Sequence, residues 1–299
     1  MSQNVAFIGL GVMGGAMAAN LLKAGFTLAV HTRSQAKAEA LIEAGARWAA
    51  TGAEAAKGAA VIGLCLPDSP DVEAALFGPG GVAETAAPGS VVIDFSTIAP
   101  AAARDFSARL AARGVAFLDS PVSGGPGGAV AGTLTCMVGG DAGALAKAEN
   151  FFKAVGKTVT HLGPSGSGQV CKAANQMIIT AAMQATAEAM ALGAKSGLDT
   201  EAMRTALLGG AARSFVLESH TKRMLDQAFS PAGFRAELML KDMKIALAAA
   251  REAGVYAPAA GLALAAMQAV VNSGRGGDDA ATLGQVVAEL SGLPKLRQG

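Results

Sequence analysis

The sequence predicts an α/β protein in two parts: a doubly wound, mainly parallel sheet over residues 1–163, then an all-α domain over residues 164–299, joined by a long interdomain helix. Three observations carry this. Short apolar runs alternate with helix-length stretches through the first half, the βαβα order that buries a parallel sheet between helices. A glycine-rich turn follows the first of those runs. Beyond Gly163-Pro164-Ser165-Gly166 the short runs stop and everything reads as helix.

Taken in order, Val5–Gly9, Thr27–His31, Val61–Leu66, Ser90–Phe95 and Val115–Asp119 have the length and apolar content of buried parallel strands. Segments such as Met13–Ala24 and Gln35–Ala44 supply helices between them. Leu134–Val138 and Thr158–Leu162 read as two further strands around a helical Ala142–Val155. The second half opens with one helical pattern from about Gln169 to Ser196, free of proline and without glycine until Gly193. At 1.5 Å per residue that helix would be roughly 40 Å long. Thr200–Leu208, Phe215–Asp226, Glu237–Ala253, Pro258–Asn272 and Ala280–Ser291 continue the helical series, with Gly274–Asp279 as a loop.

Composition narrows the function classes. Hydrophobic residues make up 52% of the chain but aromatics only 4%, so the core must be built from Ala, Val, Leu and Met. A net charge of +1 gives no electrostatic case for nucleic acid or an anionic membrane. A single Trp and a single Tyr provide no base-stacking platform. The apolar stretches Met177–Ala194 and Ala257–Val271 are interrupted by Gln184, Glu188 and Gln268, so no membrane-spanning helix is expected. The start has no basic n-region ahead of its apolar run, and the expectation is a cytoplasmic protein. Cys65, Cys136 and Cys171 lie in apolar runs without CxxC spacing and read as reduced, buried thiols. His31, His161 and His220 stand alone, so no metal is expected.

Gly9-Leu10-Gly11-Val12-Met13-Gly14 fits G-x-G-x-x-G between a strand and a helix, the context of a Rossmann-type dinucleotide site. Gly9 permits the tight turn, Gly11 lets the main chain approach a pyrophosphate, and Gly14 lets helix and strand pack closely. The helix start, with Val12 and Met13, presents N–H groups to the phosphates. An NAD site usually places an acid about 20 residues further on, to bind the ribose hydroxyls. Here the second strand ends in His31-Thr32-Arg33-Ser34, with no acid before Glu39. A carboxylate would repel a 2′-phosphate, whereas Thr32, Arg33 and Ser34 can donate to it. NADPH is therefore the expected cofactor, with NADH left open, since Arg33 stacking on adenine would serve either.

Asp119-Ser120-Pro121-Val122-Ser123-Gly124-Gly125-Pro126, followed by Gly132-Thr133-Leu134, resembles the substrate-binding signature of the β-hydroxyacid dehydrogenases. Gly168 to Gln176, containing Lys172 and Asn175, resembles their G-x-x-x-K-x-x-N segment. Leu66-Pro67, Asp94-Phe95-Ser96-Thr97 and Lys241-Asp242-Met243 match in the same order. Within the family the chain is most similar to tartronate semialdehyde reductases and 3-hydroxyisobutyrate dehydrogenases, with Phe234-Arg235 leaning towards the former.

The resemblance implies a set of roles. Lys172 would donate the proton to a forming alkoxide, and in the oxidation direction its pKa would have to be lowered. Ser123, Gly124 and Gly125 would hold a substrate carboxylate. Asn175 would bind the substrate hydroxyl or carboxylate, and Thr97 and Ser96 would sit by the nicotinamide or substrate. Leu66, Pro67 and Asp71 would line the cofactor crevice, and Lys241 would close over the nicotinamide. The implied substrate is a short semialdehyde or 3-hydroxyacid, and the implied assembly a homodimer or homotetramer. An imine reductase shares the plan but generally carries Asp or Tyr where this chain has Lys172; a non-catalytic nucleotide-binding module generally lacks the lysine. Each role also has a plain structural counterpart: Thr97 as a helix N-cap before Pro100, Asn175 as a surface amide, Lys241 and Asp242 as an exposed ion pair.

Overall fold

The computed structural model describes residues 3–297. Six strands run parallel: β1 (Asn4–Ile8), β2 (Thr27–His31), β3 (Arg47–Trp48), β4 (Val61–Leu64), β5 (Val91–Asp94) and β6 (Ala116–Asp119), in the order β3-β2-β1-β4-β5-β6. The order reverses between β1 and β4, which sets a ligand crevice beyond the carboxyl ends of those two strands. Past β6 the sheet becomes mixed. β8 (Leu134–Gly140) pairs antiparallel with both β6 and β7 (Val122–Ser123), and β9 (Gly156–Gly163) runs parallel to β8 as an exposed edge.

Helices fill the connections: α1 (Val12–Lys23), α2 (Glu39–Glu43), α3 (Gly52–Ala56), α4 (Ser69–Phe77), α5 (Pro100–Ala111), α6 (Gly125–Ala131), α7 (Ala142–Lys147) and α8 (Glu149–Val155). Then comes the long α9 (Ser167–Lys195). The sequence changes character at residue 163; by its contacts the chain divides between Lys172 and Ala173, so the first turns of α9 belong with the sheet.

Strands β1, β2, β4, β5 and β6 are buried on both faces, as their unbroken apolar runs require. On one face Phe7, Phe95 and Phe151 form a stack with ring centroids 6.2–6.5 Å apart and planes within 11° of parallel. Gly63 of β4 sits in register with Phe7, and a Cβ there would lie 2.8–2.9 Å from the Phe7 and Phe151 rings. The glycine in the middle of this apolar strand is therefore part of the aromatic packing.

The second unit is helical: the rest of α9, then α10 (Thr200–Leu208), α11 (Thr221–Asp226), α12 (Ala236–Glu252), α13 (Pro258–Val270) and α14 (Leu283–Leu290). Its core is rich in methionine: Met183 and Met190 of α9 pack with Met224, Met239 and Met267. The stretch expected as a loop ends in a structural anchor. Asp279 accepts hydrogen bonds from the N–H groups of Gly233, Phe234 and Ala281, and lies 3.4 Å from Arg223.

Several boundaries depart from expectation. Gln35–Ala44 is a 3-10 turn before the short α2, and Ala142–Val155 breaks at Ala148. Phe215–Asp226 opens with a π turn, and Pro258–Asn272 gives way at Val271 to another, which contains Gly274 at φ +82°. The expectation that no stretch is long and apolar enough to cross a bilayer does not hold for α9. Its 29 residues include an 18-residue stretch of mean hydropathy 1.2, because Gln184 and Glu188 dilute its apolar content without breaking the helix. Met183, Ala187 and Met190 on that helix are packed into the helical core.

Phe151 packs against the Phe7, Phe26 and Phe95 rings and is fully buried, so its removal would leave a cavity. Phe151→Ala should destabilise the sheet unit by about 3–5 kcal/mol, read as a lowered urea midpoint in its unfolding transition.

Candidate active site

Three glycines of the first turn do three different things. Gly9 has φ +92°, and a Cβ there would lie 2.3 Å from the Cys65 carbonyl oxygen at the end of β4. A Cβ on Gly14 would lie 1.9 Å from the Gly9 carbonyl oxygen. The protein's own packing thus demands glycine at both. Among the described residues, nothing beyond its own chain neighbours lies within 4 Å of a Cβ on Gly11. No protein contact asks for a small residue there, as expected where a bound group must come close. α1 starts one residue later, with no side-chain cap and no acid in its first turn. Its first N–H groups lack intrahelical acceptors, and Val12 is exposed beside them while Met13 is half-buried. These features fit a dinucleotide phosphate.

The neighbouring strand ends are tied together. The Leu66 N–H donates to the Ser96 hydroxyl at 2.8 Å, linking the segments after β4 and β5. Ser96 is buried, and its oxygen serves the crevice wall; Pro67 beside it is exposed. At the end of β2, the His31 ring bonds the Ala49 carbonyl at 2.9 Å and lies 5.8 Å from the Trp48 ring. Thr32 is half-buried, and Ser34 and Arg33 are exposed. The Arg33 guanidinium, 89% exposed, comes within 4.0 Å of the Asp71 carboxylate in the first turn of α4. An acid absent from the end of β2 is thus supplied by α4. Exposed pairs of this kind contribute about 0–1 kcal/mol, so Arg33 stays available.

The Lys172 side is built from β6, β7 and the start of α9. Asp119, fully buried at the tip of β6, accepts the Gly166 N–H at 2.7 Å and the Gln169 N–H at 3.0 Å. Burial pushes its carboxyl above the usual carboxylate range, and these N–H donors pull it back. A Cβ on Gly168 would lie 2.2 Å from the Met137 carbonyl oxygen, so the helix start is pressed directly onto the sheet. Lys172 follows one turn later, only 8% exposed, and donates to the Val122 carbonyl at 2.9 Å. Val122 and Ser123 form β7, and the next two residues take positive φ, +133° at Gly124 and +62° at Gly125. The structure thus brings Lys172 to the Ser123-Gly124-Gly125 segment.

In the helical unit the Asn175 amide donates to the Gln176 amide oxygen at 2.7 Å, and Gln176 donates to Asp242 at 2.7 Å. Asp242 is 2% exposed and pairs with Lys241 at 3.1 Å; Lys241 is itself only 19% exposed. This is a chain joining α9 to α12, unlike an exposed ion pair. Thr97 is not the N-cap of α5; Ala99 holds that position without a side-chain bond.

Sequence reasoning missed the supports: Asp119 beneath α9, the Gln176–Asp242 link, and Trp48 against His31. Asp119 closes an apolar run and heads the Asp119–Pro126 segment, but neither fact shows that it seats α9. The three cysteines are free. Burial raises the Cys136 thiol to about 12, while Cys65 and Cys171 are half-buried. Among the described residues no three His, Cys, Asp or Glu side chains converge on a metal position.

Residues 4–163 match the family described as the NAD binding domain of 6-phosphogluconate dehydrogenase. Residues 166–287 match the one described as the NAD-binding of NADP-dependent 3-hydroxyisobutyrate dehydrogenase. The chain is 41% identical to an NAD-dependent L-serine dehydrogenase of Pseudomonas aeruginosa, over 91% of this chain and 93% of that one. It is 39% identical to a 2-hydroxy-3-oxopropionate reductase of Escherichia coli, over 84% and 86%. A Mycobacterium tuberculosis 3-hydroxyisobutyrate dehydrogenase solved with L-serine superposes with a TM-score of 0.88 at 29% identity, covering 96% of this chain and 99% of that one.

The glycine geometry separates two variants. Gly14→Ala should cost about 1–3 kcal/mol of stability through overpacking. Gly11→Ala should melt like the wild type yet bind the dinucleotide about tenfold more weakly. Thermal melts and a cofactor fluorescence titration check both.

Proposed function

We propose that this chain, which belongs to the β-hydroxyacid dehydrogenase family, reduces a short carboxylate-bearing semialdehyde to its 3-hydroxyacid with NADPH as preferred cofactor and Lys172 as proton donor. One observation carries the reading: a lysine held out of solvent, 2.9 Å from the carbonyl that opens the Ser123-Gly124-Gly125 segment. A buried ammonium is costly unless it has work to do or good partners.

The bound nicotinamide supplies hydride in reduction and accepts it in oxidation. The chain's own residues handle charge and position. Lys172 holds a proton at Nζ, is oriented by the Val122 carbonyl, and stabilises negative charge developing on the substrate oxygen before passing the proton to it. In the reverse direction the neutral amine takes the hydroxyl proton. The Ser123 hydroxyl with the Gly124 and Gly125 N–H groups binds the carboxylate without side-chain bulk. Asn175, oriented by its bond to Gln176, binds the substrate hydroxyl or carboxylate. Thr97 flanks the reacting carbon.

The activities for which the relatives are named favour tartronate semialdehyde (2-hydroxy-3-oxopropionate), the semialdehyde of 3-hydroxyisobutyrate, and L-serine in the oxidative direction. The preference for NADPH rests on Arg33 and on the absence of an acid at the end of β2. The Asp71 carboxylate moderates it.

Lys172→Ala should lower kcat by about 10²–10⁴-fold against whichever semialdehyde is turned over, the range of general acid–base catalysis. Undiminished turnover in a panel of short semialdehydes with NADPH and NADH would sink the mechanism. Arg33→Ala should raise KM for NADPH and leave KM for NADH unchanged. Asp71→Asn should lower KM for NADPH by up to about fivefold, the equivalent of 1 kcal/mol. An unaltered NADPH/NADH ratio in both variants would refute the assignment.

A further inference from the structure

We propose that Gln169 is a positioning residue that locks Thr97 in place against the helix carrying Lys172; this rests on the roles of Lys172 and Thr97 above. Gln169 is 1% exposed and lies one turn before Lys172 on α9. Its side-chain oxygen accepts the Ile98 N–H at 3.1 Å, and its side-chain nitrogen donates to the Ser96 carbonyl at 2.8 Å. One amide therefore grips the peptide groups on both sides of Thr97, as a neighbouring strand would. Its own backbone N–H is fixed to Asp119.

The segment needs such a partner. The β5 ladder ends with the Phe95 N–H on the Leu64 carbonyl and the Ser120 N–H on the Asp94 carbonyl. α5 begins at Pro100. Between them the buried backbone groups must find acceptors and donors elsewhere. The Ser96 N–H takes Asp94 and the Ala99 N–H takes Ser69; Gln169 takes the Ser96 carbonyl and the Ile98 N–H between them.

An apolar side chain at position 169 would leave the Ser96 carbonyl and the Ile98 N–H without the partners they have in Gln169. A buried amide satisfied at both ends gives instead a fixed geometry. Residues three apart on a helix keep a constant separation. Anchoring Thr97 to Gln169 thus sets its distance to Lys172, where a shift of about 1 Å is enough to cost a hundredfold in rate.

Two variants test this. Gln169→Met keeps the volume and removes both bonds. Gln169→Glu keeps the Ile98 bond, but an ionised carboxylate cannot donate to the Ser96 carbonyl. Protonated, the same carboxyl accepts and donates as the amide does. Asp119 of β6 accepts the Gln169 backbone N–H, Asp94 of β5 accepts the N–H of the Ser96 that Gln169 holds, and Lys172 lies one turn along. Burial and the two carboxylates raise the introduced group's pKa, and the lysine opposes them.

The expected result for Gln169→Met is a tenfold to hundredfold loss of kcat/KM, about the scale of such a shift, with affinity for NADPH by fluorescence titration unchanged. For Gln169→Glu the deficit relative to wild type should shrink as pH is lowered from about 8 to about 5.5. The proposal is overturned by wild-type kcat/KM in either variant across that range. It is equally overturned by a loss matched by cofactor affinity, or by a pH-independent deficit in Gln169→Glu. If Lys172→Ala is inactive and the Gln169 variants are intact, this inference fails alone. If Lys172→Ala is active, the reading beneath it fails.

Discussion

The seating of α9 on the sheet is the contact on which the rest depends. A carboxylate with no exposure to water receives the N–H groups of Gly166 and Gln169 at the helix start. Buried charge is tolerated only where hydrogen bonds replace hydration, and an unpaired helix start is the one element with several N–H groups to offer. Each solves the other's problem. Gly168 then allows the backbone to approach the Met137 carbonyl more closely than any side chain permits. Lys172 inherits its position from that contact, because a helix transmits the placement of its first turn rigidly to the next.

The dinucleotide side is organised by another constraint, the closeness of β1 to its neighbours. Gly9 and Gly14 are demanded by the fold itself, while a Cβ on Gly11 would meet none of the described residues beyond its chain neighbours. A glycine pattern of this kind therefore mixes positions required for packing with one free for a ligand. The strand ends around it are tied by Ser96 and by His31 against Ala49, so the crevice wall is set by hydrogen bonds as well as by the sheet.

Much of this was legible in the sequence. The five apolar runs became β1, β2, β4, β5 and β6, the long helix runs from Ser167 to Lys195, and Thr200–Leu208 is a helix over those same residues. Periodicity and apolar content reveal elements that bury many residues in a row. β3 and β7 have two residues each, too few to show a period, and arise because a neighbouring strand offers an edge. The supports of the site were illegible for a different reason. Asp119 meets Gly166 across 47 positions, and Gln169 meets Ser96 and Ile98 across more than 70. Such pairs leave no trace in a local window. Residue types at the site itself, Lys172 and Ser123-Gly124-Gly125, stood out because their spacing resembles a known signature; what holds them did not.

The Arg33–Asp71 pair has a consequence for how the protein can change. Both residues lie outside the hydrophobic core, and their mutual attraction is worth less than about 1 kcal/mol. Replacing either leaves the sheet, the glycine turn and the Asp119 seat untouched. On the proposed reading of Arg33, the choice between the cell's two nicotinamide pools rests on surface residues and is separate from foldedness: substitutions there would shift the electron donor at a stability cost of no more than about 1 kcal/mol.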